Sequence, residues 1–198
     1  MAQIDGVRRV GVAVSLLLLT TGCGATKTIT TEATVTQVRT VTTGESTTSE
    51  SAAPACTGSA LRATFTAIPG SAGAGNIGYR LVVTNTSRSP CFVSGLPQAQ
   101  LLDATGAPLP THVSAAQPGG PAPARIVLEQ ARSASADARF SPDVPGPGEP
   151  ASGTRSCEPS AATLRITAPG GGVEAPVRPR TPVCEHGALR FSVFTAAR

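Results

Sequence analysis

Tryptophan is absent from this 198-residue chain, and one Tyr and five Phe are its only other aromatic residues. Its core must therefore be filled by Val, Leu, Ile and Ala, and the stacking platforms that bind single-stranded nucleic acid are missing. Runs of like charge are missing too. The formal net charge is +4, and the basic residues are almost all Arg standing singly. That pattern fits a solvated surface and argues against nucleic acid as a partner. No stretch has helical periodicity of useful length, and no apolar run is long enough to cross a bilayer core of ~30 Å as a helix. Neither a Cys-x-x-Cys pair nor a Gly-x-Ser-x-Gly elbow occurs, and the two histidines, His112 and His186, stand far apart. Neither has a partner at metal-ligand spacing, so no metal, no cofactor and no catalytic residue are expected.

What is present starts with an export signal. Arg8 and Arg9 form a positive segment ahead of an apolar run from Val10 to Leu19, which is signal-peptide length rather than a membrane span. The adjacent arginines would also suit a twin-arginine signal; paired arginines are common in such segments, and the general secretion route is expected. Directly after the run, Leu19-Thr20-Thr21-Gly22-Cys23 resembles the lipobox of bacterial lipoproteins, departing from it at Thr20, where Leu is usual. The resemblance implies a diacylglyceryl group on the Cys23 thiol, cleavage before it, and residues 1–22 as the signal peptide. Two acyl chains hold a protein on a membrane where one is marginal, so the expected place is the extracytoplasmic face of the cell membrane. Loss of Arg8, Arg9 and Asp5 with the signal removes two positive charges and one negative, leaving the mature chain near +3.

Residues 23–54 then read as a tether. They are dominated by Thr, with Ser, Glu and Gly, and contain no Phe, Tyr, Leu or Trp. Such a segment cannot bury enough apolar area to offset an ordering cost of roughly 1–2 kcal/mol per residue, so disorder is expected. A rival reading is an edge strand within residues 28–41, where Thr, Ile and Val partly alternate. The Ser/Thr density also resembles O-glycosylated stalks.

Residues 55–198 carry period-two alternation. Leu61, Phe65 and Ala67 alternate with Arg62, Thr64 and Thr66, and Ile77, Tyr79, Leu81 and Val83 with Gly78, Arg80, Val82 and Thr84. Leu164 and Ile166, then Leu189, Phe191 and Val193, repeat the pattern. Weaker segments are Cys91 to Val93, Ala99 to Leu102, Thr111 to Ser114, Ala124 to Leu128 and Ser133 to Phe140, with Gly- and Pro-rich turns between them. Short strands without helices imply an all-β fold, an antiparallel sandwich or barrel.

Cys56 ahead of the first strand, Tyr79 to Ser87, and Cys91-Phe92-Val93-Ser94-Gly95-Leu96-Pro97 resemble a family of actinobacterial envelope proteins, the domain of unknown function 4232. The similarity runs on through Leu101-Leu102-Asp103, Leu128 to Phe140, Cys157-Glu158-Pro159 and Val183-Cys184; it departs at Leu128-Glu129-Gln130-Ala131, where the family tends to a Pro-Gly turn. The resemblance implies an immunoglobulin-like β-sandwich. It brings no established activity and no catalytic residue.

Setting Cys23 aside, Cys56, Cys91, Cys157 and Cys184 read as two disulfides in an oxidising compartment. Three pairings exist; each cysteine precedes or starts a strand, and the local one, Cys56 with Cys91 and Cys157 with Cys184, is expected. Gly73-Ala74-Gly75-Asn76-Ile77-Gly78 spells a dinucleotide fingerprint, but it leads into a strand rather than a helix, so a loop is expected. Asn85-Thr86-Ser87 is a glycosylation sequon by letters and reads as a tight turn. Arg62, Arg80, Arg165 and Arg190 are outward on four strands; they form a basic face if those strands share a sheet, and independently solvated charges are the plainer reading.

The sequence thus points to a non-enzymatic, membrane-anchored binding or interaction module whose partner is an envelope protein or glycan, with its ligand-binding residues undefined. The alternatives are a cell-envelope hydrolase and a structural surface protein without a dedicated ligand. Mass spectrometry of the mature N-terminus is expected to find a lipid-modified Cys23, and Cys23→Ala is expected to shift the protein out of the detergent phase on partitioning. Equal partitioning of variant and parent would remove the anchor.

Overall fold

The computed structural model describes residues 53–120, 122–150, 157 and 159–197. The signal segment, Cys23, nearly all of the tether and the edge strand considered for residues 28–41 lie outside the described residues. Among those described, no helix is long and apolar enough to cross a membrane.

Alternating Val, Ile, Leu, Phe and Thr favour pleated, half-buried backbone, and nearly everything described is strand or turn. The strands are β1 (Leu61–Ala67), β2 (Ile77–Asn85), β3 (Cys91–Ser94), β4 (Ala99–Leu102), β5 (His112–Ala115), β6 (Arg125–Leu128), β7 (Ser133–Phe140), β8 (Ala161–Ile166), β9 (Val173–Thr181), β10 (Ala188–Phe191) and β11 (Thr195–Ala196). A long sheet runs in the order β4-β8-β9-β1-β2-β7-β10-β5 with β11 alongside β7, and β3 pairs with β6 as a separate ribbon. Pairing is antiparallel except where β9 meets β1 and β5 meets β10. The sheet is therefore mixed where an antiparallel one was expected: both exceptions join segments far apart in sequence, and a parallel neighbour requires such a long connection.

The sequence pattern missed β9. Pro176 and Pro179 interrupt it, and prolines argue against a strand with neighbours on both sides. Pro176 is accommodated opposite Thr163, beside a register shift between Ala161 and Thr163. β11 was missed because two residues show no periodicity.

The inward residues of the strands meet in one core. On β2, Tyr79, Leu81 and Val83 stand directly opposite Ala138, Ala136 and Ala134 of β7. Large side chains thus face methyl groups, which is how a chain poor in aromatics fills the space. The aromatic side chains it does have are concentrated there: Phe65 lies 5.0 Å from Tyr79 and 6.1 Å from Phe191, and Tyr79 lies 5.1 Å from Phe140. Burying each is worth about 1.5–3 kcal/mol. The Tyr79 hydroxyl bonds to the Pro179 carbonyl (2.8 Å) and to Thr181 Oγ1 (2.5 Å), so the one phenol in the core keeps its partners.

Two disulfides close the ends. Cys56 is bonded to Cys91, with Cα atoms 4.8 Å apart, and Cys157 to Cys184, with Cα atoms 5.4 Å apart. Beside the first bridge, Pro54 and Cys56 exchange backbone hydrogen bonds with Phe92. The Arg125 guanidinium sits 3.8 Å over the Phe92 ring and donates to the Ala53 carbonyl. Hydrogen bonding to the domain therefore already begins at Ala53, just inside the segment read as tether.

The turns explain two of the misleading motifs. Gly73 and Asn76 exchange backbone hydrogen bonds around Ala74 and Gly75, whose φ values of 48° and 70° make a mirror-image hairpin turn between β1 and β2. The glycine-rich letters serve that turn. Asn85 is fully buried: its Nδ2 donates to the carbonyls of Ser89 (2.9 Å) and Leu128 (2.8 Å), and its Oδ1 accepts from the N–H and hydroxyl of Ser87. No sugar can reach that amide. Where the family pattern has Pro-Gly, Ala131 takes a φ of 62° and donates its N–H to the Asn85 carbonyl. A left-handed alanine costs roughly 1–2 kcal/mol.

Asn85→Ala would leave several buried polar groups unpaired. It is expected to lose about 3 kcal/mol, a fall in melting temperature of roughly 10 °C, while Thr86→Ala, one residue on and exposed, changes it by less than about 2 °C. Equal losses at both positions in thermal denaturation would show that the buried network carries no special weight.

Candidate functional site

Strand register sets out the exposed face of the long sheet in cross-strand rows. One row runs Arg178, Thr66, Arg80, Asp137 across β9, β1, β2 and β7. The next runs Thr64, Val82, Ser135, Thr195 across β1, β2, β7 and β11. A third runs Arg62, Thr84, Ser133, with the Thr84 and Ser133 hydroxyls 2.7 Å apart. Between the outer two rows the surface sinks into an open trough of about 740 Å³, bounded by Arg80, Asp137, Ser192, Arg132, Ser135 and the β11 backbone. A second hollow of about 260 Å³ over β1 shares Arg80 and Val82 as its wall.

The trough's wall is cross-linked. Arg80 Nε and Nη2 grip the two Asp137 carboxylate oxygens at 2.7 and 2.9 Å, a bidentate pair of the stronger kind; the aspartate's hydrogen bond and charge hold the Arg80 pKa above its ordinary value. The Asp137 backbone N–H donates to Ser192 Oγ at 2.9 Å, fixing the hydroxyl that closes the far end. Ser, Thr and Arg here offer hydrogen bonds of both senses, and arginine adds charge. Those are groups for holding a polar ligand.

The arginines read as outward do share the sheet. Arg165 pairs with Glu174 at 2.8 Å and Arg80 with Asp137, whereas Arg190 reaches Glu185 only at 3.7 Å. Arg139 and Arg178 join the same face. The outward set of β7, Ser133, Ser135, Asp137 and Arg139, was visible in the alternation that placed its alanines inward, and it was the signal available for the site. Arg178 had none, because its strand was not recognised.

The histidines lie elsewhere. His112 is exposed at the start of β5, paired with Ala188. His186 sits in the turn Cys184–Gly187, where Glu185 and His186 both adopt left-handed backbone with φ of 57° and 56°. The side chain of Glu149, 2 % exposed, holds this turn: Oε2 accepts from the N–H of Gly146 (2.6 Å) and Glu185 (2.8 Å), and Oε1 from the N–H of His186. The His186 Nδ1 is 3.6 Å from Oε1 and its Nε2 lies 3.0 Å from the Pro147 carbonyl, so the imidazole addresses backbone and not a hydroxyl nucleophile. Gly187 completes the turn: a Cβ there would lie 1.8 Å from the Pro110 carbonyl oxygen. Among the described residues no group of three His, Cys, Asp or Glu could hold a metal ion.

Burial pushes the Glu149 pKa up, but the N–H groups of Gly146, His186 and Glu185, with the charge of His186, outweigh it and hold the carboxyl below its ordinary 4.5. A depressed folded pKa stabilises above the unfolded value and is lost as pH falls through the folded one. Glu149→Gln is therefore expected to cost about 2 kcal/mol at pH 7, with the gap from the parent closing below about pH 4. Denaturation curves across that range check it; a gap independent of pH would show that the carboxylate charge is not what holds the turn.

A smaller, more apolar cleft of about 210 Å³ lies beside the Cys56–Cys91 bridge, between Phe92, Leu96 and Phe194. With the geometry in hand, comparison with known proteins gives a match to a family model described as a domain of unknown function, DUF4232, over residues 56–195. No curated protein and no solved structure matches the chain. The match spans more than half of the chain and takes in β1 to β10 and the first residue of β11, so this chain belongs to the DUF4232 family.

Proposed function

We propose that this chain is a lipid-anchored protein on the extracytoplasmic face of the cell membrane, and that its β-sandwich is a non-enzymatic binding module for a polar component of the envelope. The anchoring rests on Leu19-Thr20-Thr21-Gly22-Cys23, and the oxidising compartment on the two disulfides. The observation that carries the binding role is the trough. Residues from β2, β7 and β11, with Arg80 and Thr195 more than a hundred positions apart in sequence, converge on one open, polar hollow. A surface with only solvation to manage has no need of such a recess.

The chemistry of the walls favours holding over turning over. Arg80 and Asp137 occupy one another, which fixes shape and leaves the hydroxyls and Arg132 to meet a ligand. The nearest carboxylate–imidazole pair, Glu149 with His186, belongs to a turn whose backbone it supports.

Ser135→Trp places a ring in the trough without touching the core, since Ser135 is outward on β7. Co-sedimentation of the full-length protein, held in detergent, with cell-envelope fragments stripped of membrane lipid is expected to weaken at least about tenfold, the value of one or two lost hydrogen bonds. Unchanged sedimentation of a variant that melts like the parent would overturn the binding role of this face.

A further inference from the structure

We propose that the trough and the arginines around it take a linear, acidic, hydroxyl-bearing polymer, an anionic polysaccharide lying across the strands. This rests on the binding-module reading and names its ligand class.

The first reason is shape. Thr64, Val82, Ser135 and Thr195 stand one per strand, and neighbouring strands are ~4.8 Å apart, so the row covers roughly 15 Å. The two hollows lie to either side of Arg80 and Val82, one following the other across the strands. A single extended chain fits that form.

The second is composition. Hydroxyls of Thr64, Thr66, Ser133, Ser135, Ser192 and Thr195 line or border the trough, and they match a ligand rich in hydroxyls. The cross-strand rows carry no aromatic residue, so sugar-ring stacking is not offered and charge must supply the affinity.

The third is charge. Arg62, Arg80, Arg139, Arg178 and Arg190 are outward residues in the cross-strand rows of β9, β1, β2, β7 and β10, where Asp137 is the one carboxylate among the paired positions. Arg139 and Arg190 stand directly opposite one another across β7 and β10. Like charges in that position destabilise a sheet, and Glu185 offsets only one of them, at 3.7 Å. Among the described residues, Arg62, Arg132, Arg139 and Arg178 have no carboxylate within salt-bridge distance. An anionic polymer relieves that repulsion. A flat anionic membrane is disfavoured because the site is recessed and its rows present no ring for insertion.

The test measures binding of the full-length protein in detergent to polygalacturonate, dextran, duplex DNA and glycerol 3-phosphate, the soluble charged headgroup of an anionic lipid. Saturable binding to polygalacturonate is expected, at least about tenfold tighter than to the other three, as charge-assisted hydrogen bonds add to matched hydroxyl contacts. Affinity should fall steadily between about 50 and 300 mM salt. Arg132→Gln and Arg139→Gln should each weaken it severalfold, and the double variant more, with no fall in melting temperature. Binding to DNA or glycerol 3-phosphate as tight as to polygalacturonate, dextran bound equally well, or insensitivity to salt or to the Arg132→Gln, Arg139→Gln double variant would overturn the proposal. The two readings fail separately. If Ser135→Trp abolishes sedimentation with envelope fragments while polygalacturonate does not bind, the ligand class is wrong and the binding role stands; if neither fragments nor polymer bind the parent, both fall.

Discussion

The register of β2 against β7 ties the inside of this domain to its outside. Tyr79, Leu81 and Val83 fit the alanines at 138, 136 and 134, and the same alignment sets Arg80 against Asp137, Val82 against Ser135 and Thr84 against Ser133 on the other face. Strand side chains alternate with a period of two, so a slip of one residue would bury Arg80 and Asp137 and expose the large core residues. The core therefore selects one register, and that register builds the trough. With no Trp and few other rings to spend, the chain concentrates Phe65, Tyr79, Phe140 and Phe191 at this junction, where a misalignment would cost most.

What the sequence made legible follows the same logic. Alternation along a strand is local, so nine of the strands were visible, including the weak alanine face of β7. Contacts between strands are not local. Arg80 and Asp137 are 57 residues apart, and Thr195 and Ser135 are 60 apart; nothing in either segment announces its partner. The arginines at 62, 80, 165 and 190 could be seen to face outward, but only the sheet order decides whether they share a surface. β9 stayed hidden behind its prolines, and with it the parallel join to β1 that brings Arg178 into line with Thr66. The turn at Glu185 and His186 was also beyond reach, because left-handed backbone at two non-glycine residues is set by the distant Glu149 carboxylate rather than by local preference.

The domain keeps its backbone strain in its turns, one of which, at Ala131, borders the trough. Ala74, Ala131, Glu185 and His186 carry the unfavourable backbone, and each is answered by a specific hydrogen bond or bridge: the Gly73–Asn76 pair, the Asn85 carbonyl, and the Glu149 carboxylate with the Cys157–Cys184 disulfide. A disulfide closing 27 residues contributes roughly 3–4 kcal/mol on the chain-entropy account, itself model-dependent. That is a large fraction of the ~5–15 kcal/mol typical of a folded domain. Small side chains in the core and cross-links at the margins are two sides of one arrangement.

On the proposed anchoring, the geometry of attachment bears on how tightly the trough must bind. On the tether reading of residues 23–54, a random coil of that length would span roughly 30 Å on average, confining the domain to the layer where envelope polymers are concentrated. Confinement raises effective concentration, so contacts that would be weak in solution suffice. The chain joins the domain at Ala53 to Cys56, fastened by Phe92, Arg125 and the Cys56–Cys91 bridge, so that fastening, and not the trough, takes any pull on the tether. Open shallow recognition by hydroxyls and guanidiniums is then no handicap: a polymer offers many equivalent segments, and a site that releases one can take the next.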